Sequence, residues 1–149
     1  MKLDEKDKQI LEVLKKNARL TTKEIAKIVK LPITTVHNRI KKLENNKIIT
    51  NFTVNLNYNE LGKPILAFIL VTVNYNLISE KKIDQEELAK KIKFLEGTED
   101  VSIVTGDTDI IVKVRLSSVD ELSSYITKKL RNLEGIDKTR TLIVLKYFN

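Results

Sequence analysis

The side chains with the most to offer chemically fall into two short stretches. Thr34, Thr35, His37, Asn38, Arg39, Lys41 and Lys42 lie within residues 34–42, mixing hydrogen-bonding groups with cations. Threonine and asparagine can bond to base edges, asparagine can engage adenine through two bonds at once, and lysine and arginine suit phosphate oxygens. The second stretch, Gly106-Asp107-Thr108-Asp109, sets two carboxylates around a hydroxyl. Such a pair could act as acid and base. Its turn-forming composition points instead to a hairpin or to an anchor for a ligand's ammonium group. His37 is the only histidine, and no carboxylate stands three or four residues from it to orient a general base, so a groove-facing role is expected. No nucleophile motif, phosphate loop or dinucleotide fingerprint occurs, and no enzyme is expected. The chain has no cysteine, which removes thiolate metal sites and disulfides, and one histidine cannot build a histidine-based zinc site. Neither a metal nor a cofactor is expected.

Whether cations attract phosphates depends on where they sit. The net charge is +7, and residues 1–50 hold 13 Lys/Arg against 6 Asp/Glu while residues 51–149 hold 14 of each. A general lysine bias would spread the surplus evenly. Its confinement to the first fifty residues makes double-stranded DNA the expected partner of that segment. There is no apolar run of membrane-spanning length, and Met1 to Lys6 carries charges of both signs where a signal peptide would be apolar. A soluble, cytoplasmic protein without membrane association is expected, with no further domain after Asn149.

The elements that must hold the first stretch read as three helices. Asp4 is the N-cap of a helix carrying Ile10, Leu11 and Leu14 and running out near Asn17. Thr21 with Glu24 makes a capping box, reinforced by Leu20 and Ile25, for a helix over about 22–29 that buries Ile25, Ala26 and Val29. Lys30-Leu31-Pro32 breaks it. A third helix follows with Val36, Ile40 and Leu43 inward and ends at Asn45-Asn46, where asparagine tolerates the left-handed conformation of a helix C-terminus. At about 100° per residue, Thr34, Asn38, Lys41, Lys42 and Asn45 lie opposite the core, with Thr35 and His37 flanking. This arrangement is that of a helix-turn-helix. Thr34, Thr35, His37 and Asn38 are assigned to base readout, and Arg39, Lys41 and Lys42 to phosphates, Arg39 lying nearest the core edge.

Beyond Ile48 the period changes to two. Phe52, Val54 and Leu56 alternate with polar residues as a linker strand or hinge over 51–63. Ile65 to Tyr75 is apolar on both faces and reads as a strand covered on each side. Asp84 with Glu87 caps a helix bearing Leu88, Ile92 and Leu95. Val101–Thr105 and Ile110–Leu116 read as strands joined by the 106–109 turn. Ser118 with Glu121 caps a helix bearing Leu122, Ile126, Leu130 and Leu133, and Ile136 to about Phe148 forms the last strand. Residues 64–149 thus read βαββαβ, a ferredoxin-like domain, and the whole chain is α+β: a three-helix, winged-helix-like domain over 1–50 followed by that sheet. With both helices on one face, the other apolar sheet face needs a second copy, so a homodimer is expected.

Taken together, Leu3-Asp4, Asp7, Ile10-Leu11, Leu14, Asn17-Ala18-Arg19, Glu24-Ile25-Ala26, Val36, Arg39-Ile40, Leu43-Glu44 and Ile48-Ile49 resemble the Lrp/AsnC, or feast/famine, family of transcription regulators. Leu61-Gly62, residues 104–109, Leu133-Glu134-Gly135-Ile136 and residues 139–145 extend the resemblance over nearly the whole chain. It implies a DNA-binding domain, a linker strand and a ferredoxin-like domain that dimerises and often assembles into tetramers or octamers. It also implies an amino-acid effector bound between neighbouring dimers, for which Gly106, Asp107, Thr108, Asp109, Thr139 and Thr141 are the candidate residues. The chain departs from the pattern at Lys30, Lys47 and Asn51, where the family usually has glycine, and at Pro32-Ile33, which replace its Ser-Pro. The third helix therefore lacks a serine N-cap, and Lys30 is read as one more phosphate contact. Two alternatives are a sequence-independent architectural DNA- or RNA-binding protein and a ligand sensor without DNA binding. The sheet of an RNA-recognition module presents stacking aromatics, which Ile110–Leu116 lacks.

Overall fold

A computed structural model of the chain describes residues 2–75 and 84–146. The chain divides into two compact units, Met1–Leu56 and Asn57–Asn149.

The first unit holds α1 (Glu5–Lys16), α2 (Thr22–Val29) and α3 (Ile33–Asn45). Each start has a local cause. Asp4 Oδ1 accepts from the Asp7 amide at 2.8 Å while Asp7 Oδ2 accepts from the Asp4 amide at 3.1 Å, a reciprocal cap on α1. Thr21 and Glu24 do the same for α2. Pro32, by contrast, offers α3 no side-chain cap, as its missing serine implies. α2 stops where Lys30 turns left-handed at φ 54°, and Lys6 Nζ donates to the freed Val29 carbonyl at 2.9 Å. α3 ends differently from expectation. Asn46 stays at φ −87°, and Lys47, one residue later, takes the left-handed conformation at φ 54°. The cause is the pattern of the closing bonds, Lys47 N to Glu44 O and Ile48 N to Leu43 O, which require the left-handed residue just past the cap. Ile10, Leu14, Ile25, Ala26, Val29, Val36 and Leu43 are buried together. Each large aliphatic among them contributes about 1.5–3 kcal/mol. Residues 51–57 are exposed and form no paired strand, so the alternation at Phe52, Val54 and Leu56 finds no partner strand among the described residues.

The second unit runs β1 (Ile65–Val73), α4 (Gln85–Lys93), β2 (Thr98–Ile103), β3 (Ile110–Leu116), α5 (Val119–Ser124) and β4 (Ile136–Ile143). The strand order is β2-β3-β1-β4 with every pair antiparallel, the ferredoxin-like arrangement. The register sets Ile69 opposite Val112 on one side and Thr141 on the other. Ala67, Ile69, Val71, Val73, Ile110, Val112, Val114 and Leu116 are buried against Leu88 and Ile92 of α4 and Leu122 of α5. The opposite face carries Leu66, buried, Phe68, Leu70 and Ile111, half-buried, and Leu142, half-exposed, so β1 is covered along its whole length on one side and only near its start on the other.

Several boundaries moved. β2 starts at Thr98 and ends at Ile103, β1 ends at Val73, and β4 ends at Ile143, with residues 147–149 outside the described set. Asp84 caps α4 by accepting from the Glu86 amide at 3.3 Å rather than through a box with Glu87. Ser118 Oγ caps α5 by accepting from the Glu121 amide at 3.1 Å, but the Glu121 carboxylate accepts from Ser117 rather than from the Ser118 amide. α5 does not continue as a regular helix. It passes into a π-helical turn, Tyr125–Leu130, which buries Tyr125 alongside Leu122 and Leu130 and leaves Ile126 at the margin. The Tyr125 hydroxyl lies 2.6 Å from Thr98 Oγ1, which itself donates to the Ile92 carbonyl at 3.1 Å, tying α5 to β2 and α4. Gly97 makes the tight α4–β2 connection: it holds φ +96°, and a Cβ there would stand 2.5 Å from Leu116 Cδ2.

Candidate nucleic-acid interface

α2, the turn 30–32 and α3 place the chemistry-bearing stretch on one exposed surface. Thr34, His37, Asn38, Lys41 and Lys42 are exposed and Thr35 is half-buried, while Val36 and Leu43 are fully enclosed on the other side of α3. The exposed arc carries hydroxyl, amide, imidazole and ammonium groups. Lys30 is exposed at the turn, where its backbone is left-handed. Ile33, half-exposed at the first turn of α3, adds an apolar group that the polar reading of this helix did not single out.

Arg39 is a correction. Its Nη1 lies 2.7 Å from Asp4 Oδ2 and 2.6 Å from Asp7 Oδ1, so the guanidinium is paired with two acids at the start of α1, where the sequence reading assigns it to a phosphate. The reason is electrostatic: Asp7 is buried, and a buried carboxylate needs a charged partner. Bonds from the Asp7 amide and then from Arg39 hold the Asp4 carboxyl below the usual carboxylate range, and the two acids raise the Arg39 guanidinium above its ordinary value. A signal for this was present. Asp7 falls on the same helical stripe as Ile10 and Leu14, where a charge demands a partner.

The second candidate stretch is divided by the sheet. Asp109 sits at the head of β3, its amide donating to the Val71 carbonyl at 3.0 Å. Its carboxylate accepts from the Val73 amide at 2.8 Å and from the Tyr75 hydroxyl at 2.5 Å, and that bond raises the Tyr75 phenol above its ordinary range. Gly106 and Asp107 are exposed and Thr108 is half-buried. Thr139 and Thr141 pair with Val71 and Ile69 from the other flank of β1, and the Thr139 hydroxyl accepts from Arg131 Nε at 2.9 Å. One chain therefore does not gather all six residues around a single point. Tyr75 as the partner of Asp109 was missed, since nothing in its spacing tied it to a turn 34 residues away.

Among the described residues no cluster of three or more His, Asp or Glu side chains is placed to hold a metal, and no helix is long and apolar enough to cross a membrane. Residues 3–50 match the winged helix-turn-helix DNA-binding family, and residues 66–148 match the Lrp/AsnC ligand-binding domain. The chain belongs to the Lrp/AsnC family. The HTH-type transcriptional regulator FL11 of Pyrococcus furiosus is 39% identical over 144 residues, spanning 97% of this chain and 90% of FL11. A transcriptional regulator from Neisseria meningitidis, solved as its L-Met complex, aligns with a TM-score of 0.89 at 25% identity over 99% of this chain and 93% of the other. AsnC of E. coli aligns with a TM-score of 0.84 at 28% identity over 99% and 95%. The protein is accordingly a DNA-binding Lrp/AsnC transcription regulator, with the helix-turn-helix and ferredoxin-like domains expected from its sequence.

Proposed function

We propose that this Lrp/AsnC regulator reads DNA through Thr34, Thr35, His37 and Asn38, with Lys30, Lys41 and Lys42 on phosphates, and that residues 1–50, 51–63 and 64–149 act as reader, hinge and assembly domain. The carrying observation is the exposed polar and basic arc of α3, set in a segment that holds the whole net charge of +7. Binding is to palindromic promoter sites by a cytoplasmic homodimer or larger assembly, so that paired helices meet successive major grooves. An amino acid is the effector class, supported by the L-Met complex of the Neisseria relative. Gly106, Asp107, Thr108, Asp109, Thr139 and Thr141 then contribute from different chains to a site completed on assembly. In this reading Asp107 is the carboxylate left for an ammonium group, because Asp109 already serves Val73 and Tyr75.

Two measurements test it. Titrations of a duplex selected from a random pool and of a scrambled duplex, across salt concentration, should show clear discrimination and a slope reflecting several phosphate contacts. In the same assay Asn38→Ala should reduce discrimination by about 1–3 kcal/mol, while Lys42→Ala weakens both duplexes alike and lowers the salt slope by about one. Equal affinity of the wild-type chain for every duplex would instead favour an architectural protein. For the effector, a thermal-shift series over the twenty amino acids should pick out a selective ligand, since binding to the native state raises the melting temperature.

A further inference from the structure

Arg39 faces two carboxylates on another helix, and its geometry does more than hold two helices together. Asp7, with its side chain 6% exposed, and Asp4 are fixed to each other by their reciprocal amide bonds, so the start of α1 is a rigid anchor. The buried contacts of Val36 and Leu43 hold α3 against the core, but hydrophobic burial is non-directional, so a directional bond adds rotational definition that burial alone does not supply. A guanidinium bridging two fixed acids at 2.6 and 2.7 Å is satisfied at one rotation and one rise of α3. The consequence for reading is large. With side chains the helix is about 10–12 Å across, so a turn of about 20° about its axis moves the reading atoms by roughly 2 Å. A hydrogen bond spans a range of only about half an ångström.

We propose that Asp4, Asp7 and Arg39 form a register lock, in which Arg39 is a positioning residue that fixes which base edges Thr34, His37 and Asn38 meet and so contributes to sequence discrimination without touching DNA. This rests on the base-reading role of α3. The test measures the full-length chain and its R39Q, R39K, D7N and D4N variants by fluorescence anisotropy on the duplex the wild-type chain selects and on a scrambled duplex, across salt concentration. R39Q and D7N should both lower the ratio of the two affinities by about tenfold, the size of one lost base contact. Affinity for the scrambled duplex and the salt slope should stay as in wild type. R39K, which keeps a single cationic nitrogen able to bridge both acids as Arg39 Nη1 does, should recover part of the ratio that R39Q loses.

A slope lower by about one in R39Q, with both duplexes weakened alike and D7N unaffected, would make Arg39 a phosphate contact and overturn the lock. A lowered melting temperature with the wild-type ratio intact would make the cluster merely structural and overturn it as well. Should D7N and R39Q fail to fold, D4N decides: asparagine preserves the cap at the surface, and an unchanged ratio there overturns the proposal. A wild-type ratio near one sinks base reading and the lock together. A high wild-type ratio that D7N leaves intact sinks the lock alone.

Discussion

Lys30 and Lys47 hold φ of 54° each, a conformation that crowds any Cβ and that glycine adopts without that cost. Both sit at helix ends whose closing bonds require it, and at both the family resemblance implies glycine. The strain is the same at the two sites, but their surroundings differ. Lys47→Gly should stabilise the helix-turn-helix unit by about 1 kcal/mol, seen as a higher melting temperature, with sequence discrimination unchanged. Lys30→Gly should stabilise by a similar amount and also weaken binding to every duplex, because it removes the cation assigned to a phosphate beside the proposed reading helix. If Lys30→Gly left affinity and salt slope untouched, the phosphate contact assigned to it would be lost.

Elements with side-chain N-caps were legible in advance because the cap is local. Asp4, Thr21 and Ser118 each announce a helix within four residues, and α1, α2 and β3 begin and end where their patterns say. What stayed hidden depended on distant partners. The π-helical turn that buries Tyr125 answers to Thr98 across the domain, and Arg39 answers to Asp7 across 32 residues, neither of which periodicity can show. The β2–β3 edge is a third case. Glu99 Oε2 lies 2.9 Å from Lys113 Nζ and Oε1 lies 3.1 Å from Arg115 Nε, while the Arg115 guanidinium stacks over the Tyr58 ring at 4.1 Å. Burial pushes the Glu99 carboxyl up, but bonds from Lys113, Arg115 and Tyr58 outweigh it and hold the acid below its ordinary value. A depressed folded value means stability that is present above the unfolded pKa of about 4.3 and is lost as pH falls through the folded one. Urea titrations from about pH 5 to about pH 3 should therefore show the wild-type chain losing stability faster than Glu99→Gln. Parallel pH profiles would mean that the ion pairs add nothing beyond what solvent offers.

In the proposed assembly the roles of the two units are joined, because paired reading helices would require paired chains. The sheet face opposite the helices presents Phe68, Leu70, Ile111 and Leu142 in one strip that Lys113 and Arg140 interrupt, with Phe68 opposite both Lys113 and Leu142 in register. If a second copy covers this strip, Phe68→Lys sets a new ammonium among apolar neighbours and beside Lys113. The cost of burying it should shift sedimentation toward monomer, with the helix-turn-helix unit untouched. Coupling then predicts a divided effect on DNA. A duplex with one half-site should bind the variant as tightly per chain as wild type, since the same α3 residues make the contacts. A palindromic duplex should bind about 100-fold or more weakly, because the second half-site is no longer met at the high effective concentration that a linked partner provides. Equal loss on both duplexes would mean the substitution had damaged folding. No loss on either, with the chain still dimeric, would mean the partner docks elsewhere.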